Sequence, residues 1–294
     1  MYEKTYKYNG MENKYIKSFL LIISLLVFVI GIQSAFGQQE YANAVISENQ
    51  VISSSQAIDG NLLSSAVINA NSGLALGIGA FSGHLEIQFP NVIPVNRTSF
   101  IRLNTQDDLL PFLLGGNLGG LLADAAGLVL LGNQEFSIEV KNNNTSILQG
   151  DSGIGNAFTN NELRVVTNSA GDYFISVSPN SPYNRIRVTN RVGSLVGLDT
   201  QKTINVFGAF YSDVTNSCLN ANYTSFNGSG LTLDLLQLGG AGVTNPEFAI
   251  DNDANTYSEV GFGIIDVAAT MTQTVYFDAP SIIPKRSVLY NIRS

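Results

Sequence analysis

Oxygen-bearing side chains recur at one spacing in two places. Asp59, Asn61 and Ser64 fall within six residues, following Ala57-Ile58 and flanking Gly60. After an offset of 192 positions, Ala249-Ile250-Asp251-Asn252-Asp253 is followed by Thr256. Hard cations such as Ca2+ take about six to eight oxygens, backbone carbonyls among them, from a loop that can curl around the ion. Asp59, Asn61 and Ser64 are therefore candidate ligands for a structural calcium. Asp251, Asp253 and Thr256 are candidates for a second, whose extra carboxylate would make it the stronger site. The same residue types close turns without any metal, because a short polar side chain can cap backbone N–H groups two or three residues on. The sequence leaves both readings open.

Other patterns exclude catalytic chemistry. His84 is the single histidine, and no nucleophile motif lies near it, so a Ser-His or Cys-His device is not expected. Zinc needs several His or Cys ligands, whereas Cys218 is the lone cysteine. Cys218 reads as a small buried residue, and a chain with one Cys has no internal disulfide. Asp107-Asp108 reads as a solvated turn, because neighbouring side chains point apart and do not face each other across a cleft as glycoside hydrolysis requires. Gly115-Gly116 and Gly119-Gly120 lack the Lys-Ser/Thr of a phosphate loop. The expectation is a chain that is not an enzyme.

The elements that would carry these loops are short strands. Leu85, Ile87 and Phe89 alternate with Glu86 and Gln88, and Phe136, Ile138 and Val140 with Glu135, Ser137 and Glu139. Ile186 and Val188 alternate with Arg185 and Arg187, and Ile204 and Val206 begin a run reaching Phe210. Tyr173, Ile175 and Val177 form a further set, with Phe174 making that strand apolar on both sides. Period-two alternation separated by Asn-, Gly- and Pro-rich turns predicts an all-β antiparallel β-sandwich of the jelly-roll kind. Phe81, Phe112 and Tyr183 sit in or beside loops and are candidate platforms for a sugar ring. One segment, Leu109 to Gly132, is rich in Leu and Gly. Its six glycines, Pro111, Asn117 and Asp124 argue against a membrane span, and its leucines are expected to fold back over one end of the sandwich.

The N-terminus reads as an export signal. Lys4, Lys7, Lys14 and Lys17 precede a 14-residue apolar run, Phe19 to Ile32, and Ala35-Phe36-Gly37 places small residues where cleavage would follow Gly37. The run is short of the roughly 20 residues a transmembrane helix needs, so no transmembrane span is expected in the mature chain. Removing residues 1–37 leaves 11 basic and 21 acidic residues, a net charge of −10. That sign repels phosphate and excludes nucleic acid as a partner. A secreted or cell-surface address follows, with a glycan or surface polymer, or other repeats of a longer protein, as the partners. A polar stretch from Thr215 to Gly230 marks the expected boundary between a complete module, 38–213, and a linker with the first part of a second, incomplete one, 214–294. Residues 219–294 are expected to be less well ordered than 40–213. In the incomplete module Thr274 to Asp278 takes the place of Leu85 to Phe89, and both meet a proline, Pro280 and Pro90.

Ala-Ile-Asp-Gly-Asn-x-x-Ser, at 57–64, resembles the turn of discoidin-like modules, also called coagulation-factor type C or galactose-binding-like domains. Gly83 to Phe89, Phe136 to Val140, Tyr183 to Val188 and Ile204 to Phe207 look like successive strands of that family. The resemblance implies an eight-stranded jelly roll, with a structural Ca2+ held at the turn by Asp59, Asn61 and Ser64, and by Asp251, Asp253 and Thr256 in the second copy. Ala66 and Ser258 stand where the family has Trp, and Asn252 stands at the turn glycine. The tandem, Asn-rich style behind a signal peptide is also similar to repeat modules of surface proteins in gliding and biofilm-forming Bacteroidota. Three roles stay open at this point: a glycan- or surface-binding adhesion module, a structural spacer repeat of a larger cell-surface protein, and the targeting module of a truncated secreted enzyme.

Overall fold

The computed structural model describes residues 39–74, 78–95, 97–106, 109–115, 134–153, 157–158, 160–193, 200–212, 221–229, 241–262 and 270–277. The export signal, the Asp107-Asp108 pair, most of the Leu/Gly-rich segment, Cys218, residues 215–220 and 230 of the expected inter-module boundary and the residues after Phe277 lie outside them. In chain order the elements are β1 (Gln39–Tyr41), β2 (Ala44–Asn49), β3 (Val51–Ile52), β4 (Ala66–Asn71), β5 (Gly83–Ile93), β6 (Ser99–Thr105), α1 (Leu109–Leu114), β7 (Gln134–Asn142) and β8 (Thr145–Asp151). They continue with β9 (Leu163–Thr167), β10 (Tyr173–Val177), β11 (Tyr183–Val192), β12 (Gln201–Ser212), β13 (Ala221–Ser229), β14 (Ala241–Thr244), β15 (Glu259–Phe262) and β16 (Thr270–Phe277). Two one-turn 3-10 helices, Ser54–Ala57 and Pro246–Ala249, precede the two Asp-containing loops.

The fold is an antiparallel β-sandwich. Among the described residues one sheet has nine strands, ordered β16-β13-β9-β10-β6-β12-β4-β3, with β1 also on β12; the facing sheet has five, β2-β5-β11-β7-β8. β14 and β15 form a separate pair. The two sheets share one core. Phe136, Ile138 and Val140 from β7 meet Ile87 and Phe89 from β5, Ile186 and Val188 from β11, and Ile68, Ile101, Ile175 and Ile204 from the opposite sheet. Alternation is the cause: on β7 and β11 every second side chain is withdrawn from solvent, as a half-buried strand requires. The chain steps between sheets at consecutive residues. Ala42 N–H bonds the Ala209 carbonyl at 2.9 Å on one side and Asn43 N–H bonds the Gln88 carbonyl at 2.9 Å on the other. Where β5 passes β4 the backbones nearly touch. A Cβ at Gly83 would lie 2.3 Å from the Asn69 carbonyl oxygen, so only glycine fits.

Two departures from strict alternation have local causes. In β12 the register shifts between Val206 and Gly208, and Gly208 takes φ +138°. This bulge changes the phase: Ile204 and Val206 face the main core before it, Ala209 and Tyr211 after it, and Phe210 turns to the outer face. On that outer face Phe100, Val166, Phe174 and Phe210 gather around Tyr223 of β13. Phe100 and Tyr223 stack at 4.2 Å between centroids, and Phe174 meets Tyr223 edge-on at 5.2 Å. Aromatic pairs of this kind add about 0.5–1.5 kcal/mol each beyond burial. That cover is why β10 is apolar on both faces. β13 joins the sheet at Thr224 opposite Thr167, and the buried Arg164 donates to Ser225 Oγ at 3.1 Å and to the Phe226 carbonyl at 2.7 Å. The strands after residue 220 thus continue the large sheet. α1 lays Leu109, Leu110, Leu113 and Leu114 into the main core, as expected for the start of the apolar segment.

Candidate functional site

The first turn is built by its own hydrogen bonds. Ser53, left-handed at φ 56°, precedes the 3-10 helix that ends at buried Ala57, and its carbonyl accepts the Gln56 N–H at 2.9 Å. Gly60 then turns left-handed at φ 73°. Asp59 Oδ1 accepts the Asn61 N–H at 2.8 Å and Oδ2 accepts the Ser64 hydroxyl at 2.6 Å. Asn61 Oδ1 accepts the Leu63 N–H at 3.0 Å, and the Asn61 carbonyl accepts the Ser64 N–H at 3.3 Å.

The second turn repeats this plan residue for residue at an offset of 192. Asn245 is left-handed at φ 48°, Pro246–Ala249 forms the 3-10 helix, and Asn252 takes φ 61° where the first turn has Gly60. Asn tolerates that conformation better than other side chains, which accounts for the substitution at the turn glycine. Asp251 Oδ1 accepts the Asp253 N–H at 2.9 Å, and Oδ2 accepts the Thr256 hydroxyl at 2.6 Å. Asp253 Oδ1 accepts the Asn255 N–H at 2.9 Å. The flanking strands keep the register too. Val51 faces Ile68 and Ile52 faces Val67 in the first copy; Val243 faces Val260 and Thr244 faces Glu259 in the second.

The surroundings of the two turns differ. Arg102 of β6 donates to the Leu62 carbonyl, pairs with Asp172 and lies 4.5 Å over the Phe207 ring. At the second turn Gln273 donates to the Pro246 carbonyl at 2.9 Å and accepts from Ser258 at 2.8 Å. One loop geometry held by unrelated neighbours is a property of the loop's own sequence. The Asp251 carboxyl is held below its ordinary range by the Thr256 hydroxyl and then the Asp253 N–H.

The residues can be set against the demands of calcium. Both oxygens of Asp59 and of Asp251, Oδ1 of Asp253 and the Asn61 amide oxygen accept N–H or O–H groups within the loop. Ser64 and Thr256 donate their hydroxyl protons to the carboxylates at 2.6 Å, bonds that shape the turn. Among the described residues no three His, Cys, Asp or Glu side chains stand close enough to hold a metal. In this arrangement the same oxygens close a capped turn.

The aromatic candidates separate. Tyr183 is fully buried; its hydroxyl lies 2.7 Å from Ser99 Oγ and 3.0 Å from the Val177 carbonyl, and burial pushes its pKa up. The ring is a core anchor and is not presented to a ligand. The loop text around it suggested exposure, but it is the first residue of β11 and faces inward. Phe112, on α1, is half-buried against the main core. Phe81 is half-buried and bridges Asn71 through paired backbone bonds of 2.9 and 3.0 Å. The three do not form one platform. His84 Nε2 lies 2.9 Å from Ser47 Oγ; desolvation first, then Arg187, lowers its pKa.

A buried amide pair is the polar feature the strand patterns did not single out. Asn190, fully buried on β11, donates through Nδ2 to the Ile68 and Lys202 carbonyls of the opposite sheet, both at 2.9 Å. Gln134 of β7 donates to Asn190 Oδ1 at 3.1 Å and to the Thr203 carbonyl at 2.9 Å. All four amide hydrogens and one amide oxygen are used; Gln134 Oε1 has no partner. A signal was present: Asn190 is two residues past Val188 and Gln134 two before Phe136, both in the inward phase of their strands. No family model, no curated protein and no solved structure matches this chain.

Proposed function

We propose that this chain is a non-catalytic, exported protein built of repeated β-sandwich units of the galactose-binding-like kind. In it the Ala-Ile-Asp turn marks the start of each unit, and the units serve as structural spacers at the cell surface. The observation that carries this reading is the pair of turns. Two loops 192 residues apart share left-handed positions, hydrogen bonds and strand register, yet their surroundings differ. A loop selected for a ligand would be expected to keep the groups around it, whereas a loop that sets strand entry needs to keep only itself. The side chains that first suggested a ligand support the same reading, since Asp59 and Ser64 bond each other and Tyr183 is in the core.

The competing role is glycan adhesion, for which Phe81 is, of the three aromatic candidates, the half-exposed one outside α1. A glycan array probed with residues 38–294 separates the two. The spacer reading expects no sugar retained above background, and a saturable binder weakened by Phe81→Ala would replace it with the adhesion reading.

A further inference from the structure

One connected set of contacts runs from the first turn to the second. On the first side Arg102 donates to the Leu62 carbonyl and pairs with Asp172, and Thr167 Oγ1 donates to the Asp172 carbonyl at 3.1 Å. Thr167 stands opposite Thr224 where β9 meets β13. On the second side Thr224 Oγ1 donates to the Thr274 carbonyl at 3.0 Å and accepts from Gln273 Nε2 at 3.2 Å. Gln273 also donates to the Pro246 carbonyl and accepts from Ser258, and those two residues bracket the second turn.

Apolar contacts follow the same route. Leu62 of the first turn and Tyr276 of β16 both pack against the outer-face cluster of Phe100, Val166, Phe174, Phe210 and Tyr223. On β9, Arg164 reaches across to Ser225 Oγ and the Phe226 carbonyl, and Ser225 Oγ lies 2.9 Å from the Tyr276 hydroxyl. Arg164, Thr167, Tyr223, Thr224 and Ser225 are all buried. Units that move independently meet through small, polar contacts, whereas this seam is dry and aromatic. Parting β13 from β9 would break the bonds that a buried guanidinium makes to Ser225 and Phe226, and hydrogen bonds to a charged donor are the stronger kind.

We propose that this seam is a rigid joint through which the first unit stabilises the second, with Arg164 as the positioning residue that fixes β13 on the outer face of β6, β9, β10 and β12. Repeat arrays gain stability from such nearest-neighbour interfaces. The spacer is then a stiff one, its successive units held in a fixed relation. That use rests on the spacer reading, while the joint rests on its own contacts.

The test is backbone hydrogen exchange on the mature chain, residues 38–294. Arg164 shares the outward phase of Val166 on β9, so Arg164→Ala leaves the main core between the sheets in place. It is expected to speed exchange in 241–244, 259–262 and 270–277 by about tenfold or more, and to leave β5, β7 and β11 within about twofold of the parent. Ser225→Ala removes the oxygen between Arg164 and Tyr276 from the other side of the seam. It is expected to act in the same direction, and it decides the matter if Arg164→Ala does not fold. Unchanged exchange in the second copy would overturn the proposal, because the units would then be independent. Equal acceleration in β5, β7 and β11 would also overturn it, because Arg164 would then support the first unit alone. A saturable glycan binder would remove the spacer role and leave the joint, so the two fail separately.

Discussion

Removing the buried amide of Asn190 should cost more than any surface change in the molecule. Asn190→Ala deletes two bonds to carbonyls of the opposite sheet, at 2.9 Å each, and the acceptor for Gln134 at 3.1 Å. It does so at a position with no solvent exposure. A stranded buried partner costs about 1–3 kcal/mol. With up to three groups affected and some relaxation, the loss is about 3–5 kcal/mol, a large share of the roughly 5–15 kcal/mol that holds a domain folded. For a urea slope of about 2–3 kcal/mol/M, that moves the midpoint down by about 1–2 M. Gln134→Leu should cost less, because it removes an amide oxygen that has no partner along with the two donors. The double variant should show a coupling of about 0.5–3 kcal/mol, as residues in one network do. A midpoint shift for Asn190→Ala below about 0.3 M would refute the reasoning, as it corresponds to less than about 1 kcal/mol. The amides would then not be joining the sheets.

Gly83→Val places side-chain atoms against the Asn69 carbonyl, where a Cβ alone would sit at 2.3 Å. It should destabilise by at least about 3 kcal/mol, read by thermal unfolding; a melting temperature within about 2 °C of the parent would contradict the close approach. Tyr183 gives a pH prediction. Its folded pKa is raised by burial, so its neutral form contributes stability that is fully present below the unfolded value of about 10 and declines as pH rises above it. Tyr183→Phe should lower stability at pH 7 by about 1–2 kcal/mol through the lost hydroxyl bonds, and its stability should fall less than the parent's between pH 9.5 and 11. Parallel stability curves for the two proteins over that range would show that Tyr183 titrates as an exposed phenol.

Much of the sandwich was legible because its strands obey period two. The inward sets on β5, β7 and β11 were each named by alternation, and burial follows them. Reading failed where a rule was broken for a structural reason. Glu86 alternates as an outward residue, yet it is buried, because Lys141 at 2.8 Å and Arg185 at 3.7 Å close over it. Tyr183 looked like loop text because Pro179 to Pro182 precede it, while its inward phase on β11 was the stronger cue. Asn190 and Gln134 lie within strands, away from the loops where polar residues ordinarily signal a site. A polar residue on the apolar phase of a strand is rarer and more telling. For the paired turns, the sequence held the repeat and the oxygen-bearing types, but it could not say whether those oxygens faced an ion or one another. In the structure Asp59 and Asp251 accept from Ser64 and Thr256.

The central claim is that the two turns close themselves. The most direct measurement is thermal unfolding of the mature chain in millimolar calcium and in chelator, with Asp59→Asn and Asp251→Asn alongside. The account predicts one melting temperature, within about 1 °C, for each protein in both conditions, because a ligand that does not bind the folded state adds no stability. A calcium-dependent rise of several degrees, lost in either variant, would contradict it. Calcium at a hundredfold excess over its dissociation constant would contribute about 2.7 kcal/mol, and the turn would then be a cation site.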